Sequence, residues 1–332
     1  MEKEMSMKYR GLNDLSKLSS RFACNVPKDV ELIVGIPRSG MLVASIIALK
    51  LNLPLTDLYS FLRNDDLKKG NTRSYKHDQL IKPQDARTIL LVDDSISSGN
   101  SMRAAYDKVK AIYGGTVKTM AAFVEKHNRN QVDVYFEQVE QPRVFEWNIM
   151  HHPFLAQACL DIDGVLCVDP TTEENDDGPG YLDFLCNTRP LFIPSVKVAH
   201  LVTSRLEKYR PETERWLQEH GVQYGQLHML DLPSAEERRR LNMHHKFKAQ
   251  VFGQDPLARL FIESEAHQAV EICRLTGKPV YCIETNEMYT AGQLPNLKAD
   301  ILRKSHSLKR KVFNRLKATL SRWLPDSSAS KV

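Results

Sequence analysis

Ile89-Leu90-Leu91-Val92-Asp93-Asp94-Ser95-Ile96-Ser97-Ser98-Gly99-Asn100-Ser101 is four apolar residues, two adjacent acids and a run of small polar residues around a glycine. An unbroken apolar run reads as a strand buried on both faces, here Thr88–Val92. The helical periodicity of Ser101–Tyr113 follows it, so the small residues form the turn that opens a helix. The two acids therefore sit at the carboxyl end of a buried strand. Adjacent carboxylates there accept hydrogen bonds from vicinal hydroxyls, such as those of a ribose. The turn offers backbone N–H groups and hydroxyls at a helix N-terminus, where a phosphate is favoured. Together the two features suit a ribose 5-phosphate.

Outward from this stretch, strand-like and helix-like segments alternate. Glu31–Ile36, Val117–Val124 and Val132–Phe136 are further expected strands, and Met41–Leu51 an expected helix. A second series follows, with strands over Gln157–Leu160, Val196–Val202, Leu227–Leu230, Ala258–Ile262 and Pro279–Ile283. Helices are expected over Pro211–His220, Ala235–Gln250 and Ala266–Thr276. Alternation of this kind predicts an α/β protein of two doubly wound domains with mainly parallel sheets. The aperiodic segment Glu137–Pro153 marks the boundary, giving domains 1–152 and 153–297 and a tail 298–332. Asn64–Asp78 and Thr171–Gly180 are polar and read as mobile loops.

A chain of 332 residues, 42% apolar and 26% charged, is ordinary for a soluble protein of two domains. No stretch reaches the roughly 18 consecutive apolar residues of a membrane span. Met1-Glu2-Lys3-Glu4-Met5 has no apolar core, so no secretory signal is expected. The six cysteines are scattered without a C-x-x-C pair and read as reduced thiols, which points to the cytoplasm. The net charge of +5 divides unevenly: residues 298–332 carry ten Lys/Arg against two acids, a net of +8, and the rest is −3. The body is therefore not a general nucleic-acid binder by charge.

The thirteen-residue stretch resembles, position by position, the PRPP-binding motif of type I phosphoribosyltransferases. Upstream, Leu32-Ile33-Val34-Gly35-Ile36-Pro37-Arg38-Ser39-Gly40 is similar to that family's pyrophosphate loop. Arg73-Ser74-Tyr75, in a polar loop with Lys68, Lys69 and Lys76, is similar to its flexible catalytic loop. The resemblance implies a Mg²⁺-dependent exchange at the anomeric carbon of PRPP, in which a nucleobase or base-like acceptor replaces pyrophosphate. It implies PRPP binding by Pro37, Arg38, Ser39, Gly40, Asp93, Asp94, Ser97, Ser98, Gly99, Asn100 and Ser101, and catalytic roles for Arg38, Ser74 and Tyr75. The base-recognising hood is expected from a helix at about Tyr9–Phe22 and from Val124–Trp147, where Trp147 or Phe145 either stacks on the base or packs in the interior.

In the second half, Cys159-Leu160-Asp161-Ile162-Asp163-Gly164-Val165-Leu166 again ends an apolar run in acids. With a spacing of two, both carboxylates project on the same side of an extended chain. One can attack a phosphorus centre while the other protonates the leaving oxygen, and Mg²⁺ cancels their repulsion with the phosphate. The Asp-x-Asp-Gly-Val motif resembles that of haloacid dehalogenase-superfamily phosphatases. The resemblance implies catalysis by Asp161 and Asp163, phosphate binding by Thr203 at the end of Val198–Arg205, and a following lysine, Lys248 in preference to Lys246. It implies Mg²⁺ on Asp161, Asp163 and Glu263, with Glu265 the other candidate acid. Glu263 departs from the family's usual Asp. About 40 residues separate the first two motifs, enough for a small cap only.

Ile301–Leu324 places Leu308, Val312, Leu316 and Leu320 at three- to four-residue spacing among Lys and Arg, an expected amphipathic basic helix. It suits docking on an anionic membrane or a partner, or packing on the protein's own acidic body or in a homo-oligomer. The joint order of motifs resembles a phosphoribosyltransferase–phosphatase fusion acting on PRPP, a base and a phosphomonoester. The alternatives are a PRPP-sensing regulator, or two activities on separate substrates.

Overall fold

The structure, a computed structural model, describes residues 7–68, 70, 74 and 76–292. The expected basic tail helix, Arg73 and Tyr75 lie outside the described residues. The chain divides into two compact units, Met1–Ile149 and Met150–Val332, a break three residues earlier than expected.

The first unit runs β1 (Lys8–Arg10), α1 (Leu12–Phe22), β2 (Leu32–Gly35), α2 (Ser39–Leu51), β3 (Leu55–Asp57), α3 (Leu58–Arg63), β4 (Thr88–Ile96), α4 (Asn100–Lys110), β5 (Thr116–Val124), β6 (Val134–Gln138) and β7 (Arg143–Phe145). Five strands form a parallel sheet in the order β3-β2-β4-β5-β6, and β1 pairs with β7. The apolar run in β4 is explained by its two covered faces. Leu90 and Val92 pack with Leu15, Val43 and Ile47 of α1 and α2. Ile89 and Leu91 pack with Phe61, Met102 and Val109 of α3 and α4. Burying both faces removes every polar choice from the middle of the strand.

Strand β4 differs from expectation in one respect that shapes the site. It continues through both acids to Ile96, because β5 pairs with it as far as Val124. On its other side β2 stops at Gly35, opposite Val92. Asp93 and Asp94 therefore lie inside a strand on one edge and beside an open step on the other. Tyr9, expected in the first helix, instead pairs with Val144 as part of β1.

The second unit runs β8 (Ala158–Leu160), α5 (Pro179–Asn187), β9 (Val198–Leu206), α6 (Arg210–Glu219), β10 (Tyr224–Leu230), α7 (Ala235–Arg240), α8 (His244–Gln254), β11 (Leu260–Glu263), α9 (Ala266–Thr276), β12 (Val280–Cys282) and β13 (Glu287–Tyr289). Its sheet has the order β10-β9-β8-β11-β12-β13, parallel except for the final pair. The single helix expected over Ala235–Gln250 is two, broken where Asn242 takes a left-handed φ of 50°.

Thr171–Gly180, expected as a mobile loop, is instead tied by its own acids. The Asp176 carboxylate accepts from the backbone N–H groups of Gly178, Gly180 and Tyr181 at 2.8, 3.1 and 2.9 Å, which starts α5. The Asp177 carboxylate accepts from the Ala235 N–H at 2.9 Å and the Tyr209 hydroxyl at 2.8 Å, and pairs with Lys208. Asp177 thereby pins the first turn of α7. Asp177→Ala should lower stability by about 1–2 kcal/mol; urea unfolding followed by tryptophan fluorescence measures it, and an unchanged midpoint would refute the anchor.

Candidate active sites

In the first unit the sheet step brings the two quoted motifs together. The Ile36 N–H donates to the Val92 carbonyl at 2.8 Å, so the chain leaving β2 turns directly beside Asp93. Gly40 begins the first turn of α2 so close that a Cβ on it would stand 2.7 Å from the Val92 carbonyl oxygen and 3.0 Å from the Asp93 Cα. Only glycine permits that approach. Pro37 and Arg38 are exposed on the turn and Ser39 is half-buried. On the other side, Gly99 takes a left-handed φ of 77° before α4. Ser97, Ser98, Asn100 and Ser101 are exposed around it.

Asp93 and Asp94 are both buried. Asp93 accepts from the Asp94 N–H at 2.9 Å, and Asp94 accepts from the Trp147 indole N–H at 2.8 Å. Among the described residues neither acid has a cationic partner. Burial, and next the charge of Asp94, push the Asp93 carboxyl up to about 7. Two hard oxygen donors with an uncompensated charge fit Mg²⁺. Ser74 is exposed, and its carbonyl accepts from the Asn52 amide at 3.1 Å.

The aromatic candidates separate. Phe145 is buried in a three-ring cluster, its centroid 5.0 Å from those of Phe123 and Trp147, which lie 6.1 Å from each other, so it belongs to the core. Trp147 packs one face on Phe145 while its N–H holds Asp94. Sequence reasoning missed this link, since nothing local marks a tryptophan as the partner of an acid 53 residues away. It also missed Glu125, His127 and Glu140, whose ligand atoms lie within 4.8 Å of one another. The Glu125 carboxylate there already accepts from the Ser97 hydroxyl and the Gln141 amide, each at 3.1 Å.

In the second unit Asp161 follows β8, flanked by β9 and β11. The buried Lys248 ammonium donates to Asp161 Oδ2 at 2.6 Å, Glu263 Oε2 at 2.9 Å and Gln268 Oε1 at 3.0 Å. Lys246 is exposed and reaches only the Leu241 carbonyl, at 3.3 Å. Asp163 is held by Arg205, whose Nε lies 3.2 Å from both carboxylate oxygens and whose second nitrogen lies 2.6 Å from Oδ1. Gly164, with φ 71°, permits the turn; a Cβ on it would stand 2.4 Å from the Ser264 side chain.

A cavity of about 310 Å³ opens on these acids, lined among others by Asp161, Asp163, Asp169, Ser204, Arg238 and Glu265. Two expected residues do not line it. Thr203 is fully buried, and its hydroxyl accepts from the Arg205 N–H at 3.2 Å. Its neighbour Ser204 lines the cavity instead, because adjacent strand residues face opposite sides. Glu263 is also fully buried, with one oxygen on Lys248 and the other accepting from Ser264 N–H at 3.0 Å. Glu265, two residues on, lines the cavity.

Carboxylates crowd this space. Burial, then Asp163 and Glu265, push Asp169 up to about 6. Asp161 is raised well above its ordinary value by burial and by Glu263 and Asp163, against the pull of Lys248. An excess of buried carboxylate oxygens fits a hard divalent cation such as Mg²⁺. His244, on the same cavity, is lowered to about 4 by burial and by the charges of Arg238 and Lys248.

Residues 13–157 match the family model described as the phosphoribosyl transferase domain. The bifunctional protein PyrR of Corynebacterium diphtheriae is 32% identical over 133 residues, covering 35% of this chain and 70% of that protein. The xanthine-guanine phosphoribosyltransferase of Chromohalobacter salexigens is 29% identical over 116 residues, 35% of this chain and 66% of that protein. Among solved structures, the xanthine-guanine-hypoxanthine phosphoribosyltransferase of Helicobacter pylori aligns with 43% of this chain and 92% of its own, at 18% identity and a TM-score of 0.33. No helix among the described residues is long and apolar enough to cross a membrane.

The raised Asp93 carboxyl has a signed consequence. Between its ordinary 3.8 and about 7 the folded state holds a proton that the unfolded chain releases, so its contribution to stability is lost as pH rises through that window. Asp93→Asn cannot ionise. Its melting temperature, relative to the parent, should therefore rise by a few degrees from pH 4 to pH 8. Differential scanning calorimetry at both pH values checks this, and a pH-independent difference would contradict it.

Proposed function

Because the chain belongs to the phosphoribosyltransferase family through its N-terminal unit, we propose that this unit transfers the phosphoribosyl group of PRPP to a nucleobase or base-like acceptor, and that the second unit hydrolyses a phosphate monoester. For the first unit one observation carries the reading: the Pro37–Gly40 turn abuts the buried acids Asp93 and Asp94, which have no cationic partner among the described residues, at the strand end that opens into α4. The acids would receive the ribose hydroxyls. The Ser97–Ser101 turn would receive the 5-phosphate at the N-terminus of the eleven-residue helix α4.

In the transfer, the bond from the anomeric carbon to pyrophosphate oxygen breaks and a bond to a base nitrogen forms. The base loses its proton. Positive charge grows on the sugar as negative charge grows on the leaving group, so stabilisation falls to donors fixed around pyrophosphate. Arg38 stands on the exposed turn for that role. The loop containing Ser74 and Tyr75 would exclude water.

The phosphatase reading rests on the second unit's own residues, since the family match ends at 157. It is supported by Lys248 bridging Asp161 and Glu263 beneath a cavity that Asp163 also lines. An Asp161 oxygen would attack phosphorus, the bond to the leaving oxygen would break, and Asp163 would supply that oxygen's proton. Water would then cleave the aspartyl-phosphate, releasing inorganic phosphate and restoring Asp161. Lys248 orients the Asp161 carboxylate throughout. Mg²⁺, when bound, would supply positive charge to phosphate oxygens; Asp93 and Asp94 would hold it in the first unit, and Asp161 and Glu265 in the second, which leaves Asp163 for the proton.

The two steps would run in sequence, converting base and PRPP to nucleoside, pyrophosphate and phosphate. Incubation with PRPP and a panel of bases should release pyrophosphate, and Asp94→Asn should slow release by about a hundredfold, as loss of a charged hydrogen-bond acceptor does. With Asp161→Asn, mass spectrometry should find nucleotide accumulating where the intact protein yields nucleoside. PRPP binding without turnover on any base would sink the transferase and favour a sensor. Nucleotide persisting with the intact protein would leave two unlinked activities.

A further inference from the structure

Alternation along β4 puts Asp94 on the strand face of Leu90 and Val92. That face is covered by the apolar cluster in which Phe123, Phe145 and Trp147 pack. From this cluster the Trp147 indole N–H reaches Asp94 Oδ2 at 2.8 Å. The indole is itself fixed. Its ring lies 5.0 Å from that of Phe145, within 5° of parallel, and 6.1 Å from that of Phe123. Four residues earlier the buried Arg143 guanidinium donates to the Ile96 carbonyl at 2.9 Å and to the Val139 carbonyl at 2.8 Å. Residues 143–147 therefore grip β4 at two points, the Ile96 carbonyl and the Asp94 carboxylate.

The chemistry of the donor matters. In the second unit the acids that follow β8 are met by cations, Asp161 by Lys248 and Asp163 by Arg205. Asp94 is met by an indole, which donates one N–H, accepts nothing and carries no charge. A cation there would cancel the charge of the acid and oppose a metal ion brought with a ligand. A hydroxyl would rotate and could accept as well as donate. Asp94 is 5% exposed and adjoins a second buried carboxylate, so repulsion alone would drive it away from Asp93. A rigid neutral donor holds it in place and leaves its charge intact.

We propose that Trp147 is a positioning residue for PRPP: its indole N–H fixes the Asp94 carboxylate at the strand end without neutralising it, so that the acid is oriented before the ribose hydroxyls and their accompanying cation arrive. The inference rests on the transferase reading for its ligand. It assigns a role to the N–H edge of the indole, whereas stacking on a base would use the ring face.

PRPP binding without a base tests the edge alone. Calorimetric titration of the full chain with PRPP and Mg²⁺ should show binding that weakens about tenfold in Trp147→Phe, which keeps a ring beside Phe145 and loses the N–H. With a base that supports turnover, the KM for PRPP should rise to a similar extent and the KM for the base should not move. PRPP binding that depends on Trp147, without turnover on any base, would uphold the positioning role and remove the transferase. Turnover with PRPP binding unchanged in Trp147→Phe would remove the positioning role and leave the transferase; a rise confined to the KM for the base would give the ring to base stacking instead. Absence of PRPP binding by the intact protein would overturn both. Should Trp147→Phe fail to fold, as judged by its melting transition, the indole N–H resonances of the three tryptophans decide. The resonance displaced by Asp94→Asn should be one that PRPP with Mg²⁺ displaces in the intact protein, and a resonance left in place at saturating PRPP refutes the link.

Discussion

A carboxylate removed from water must be compensated or held for a ligand that compensates it, and both units of this protein place such carboxylates at the tip of a parallel strand. The first unit leaves Asp93 and Asp94 without a cation among the described residues. The second gives Asp161 and Glu263 a single shared ammonium. In both cases the uncompensated charge is a standing demand for positive charge from outside. That demand, rather than the fold, distinguishes these strand ends from the others in the two sheets. It also limits which ligands can be accommodated: a bare anion is repelled, whereas an anion that arrives with a divalent cation or meets a guanidinium is not.

The sheet architecture creates the places where such charge can stand. In the first unit β2 ends at Gly35 while β4 continues to Ile96, and the difference in length opens a step beside the acids. Two glycines keep the step open, Gly40 by letting α2 approach the β4 backbone and Gly99 by turning the chain into α4. In the second unit the small segment between the acids and β9 is organised by Asp176 and Asp177, and its tie to Ala235 sets the start of the helix that carries Arg238. Local capping therefore reaches the site: the loop that reads as featureless in sequence supplies the anchor for a cavity-lining side chain.

The motif residues were legible because strand-end acids in a fixed pattern have few structural uses. Asp93, Asp94, Asp161 and Asp163 stand out as strand-end acids from pattern alone, Lys248 was preferred over Lys246 only through the family resemblance, and alternation of apolar runs predicted two α/β units. What was not legible depends on facing and on distance. Thr203 and Ser204 are adjacent hydroxyls on one strand, and only the pleat decides which one meets the cavity. Glu263 and Glu265 pose the same problem where the chain leaves β11. Trp147 and Arg238 act through partners 53 and 34 residues away, and no local period encodes such a meeting. Strands of three residues, such as β1 and β7, carry too few positions to show alternation.

The proposed transfer and hydrolysis would place opposite demands on water, which is a physical reason for separate units. An oxocarbenium-like sugar is captured by any nearby water, so transfer to a base requires a closed and dry site. An aspartyl-phosphate, by contrast, persists until water reaches it. In the first unit the proposed transfer would need such cover over the step beside Asp93 and Asp94. The second has a short cap segment over a cavity of about 310 Å³, lined by polar side chains that can hold water. One crevice could not satisfy both requirements without opening and closing between steps. Two strand ends of the same chemical type, housed in separate units, would satisfy them independently.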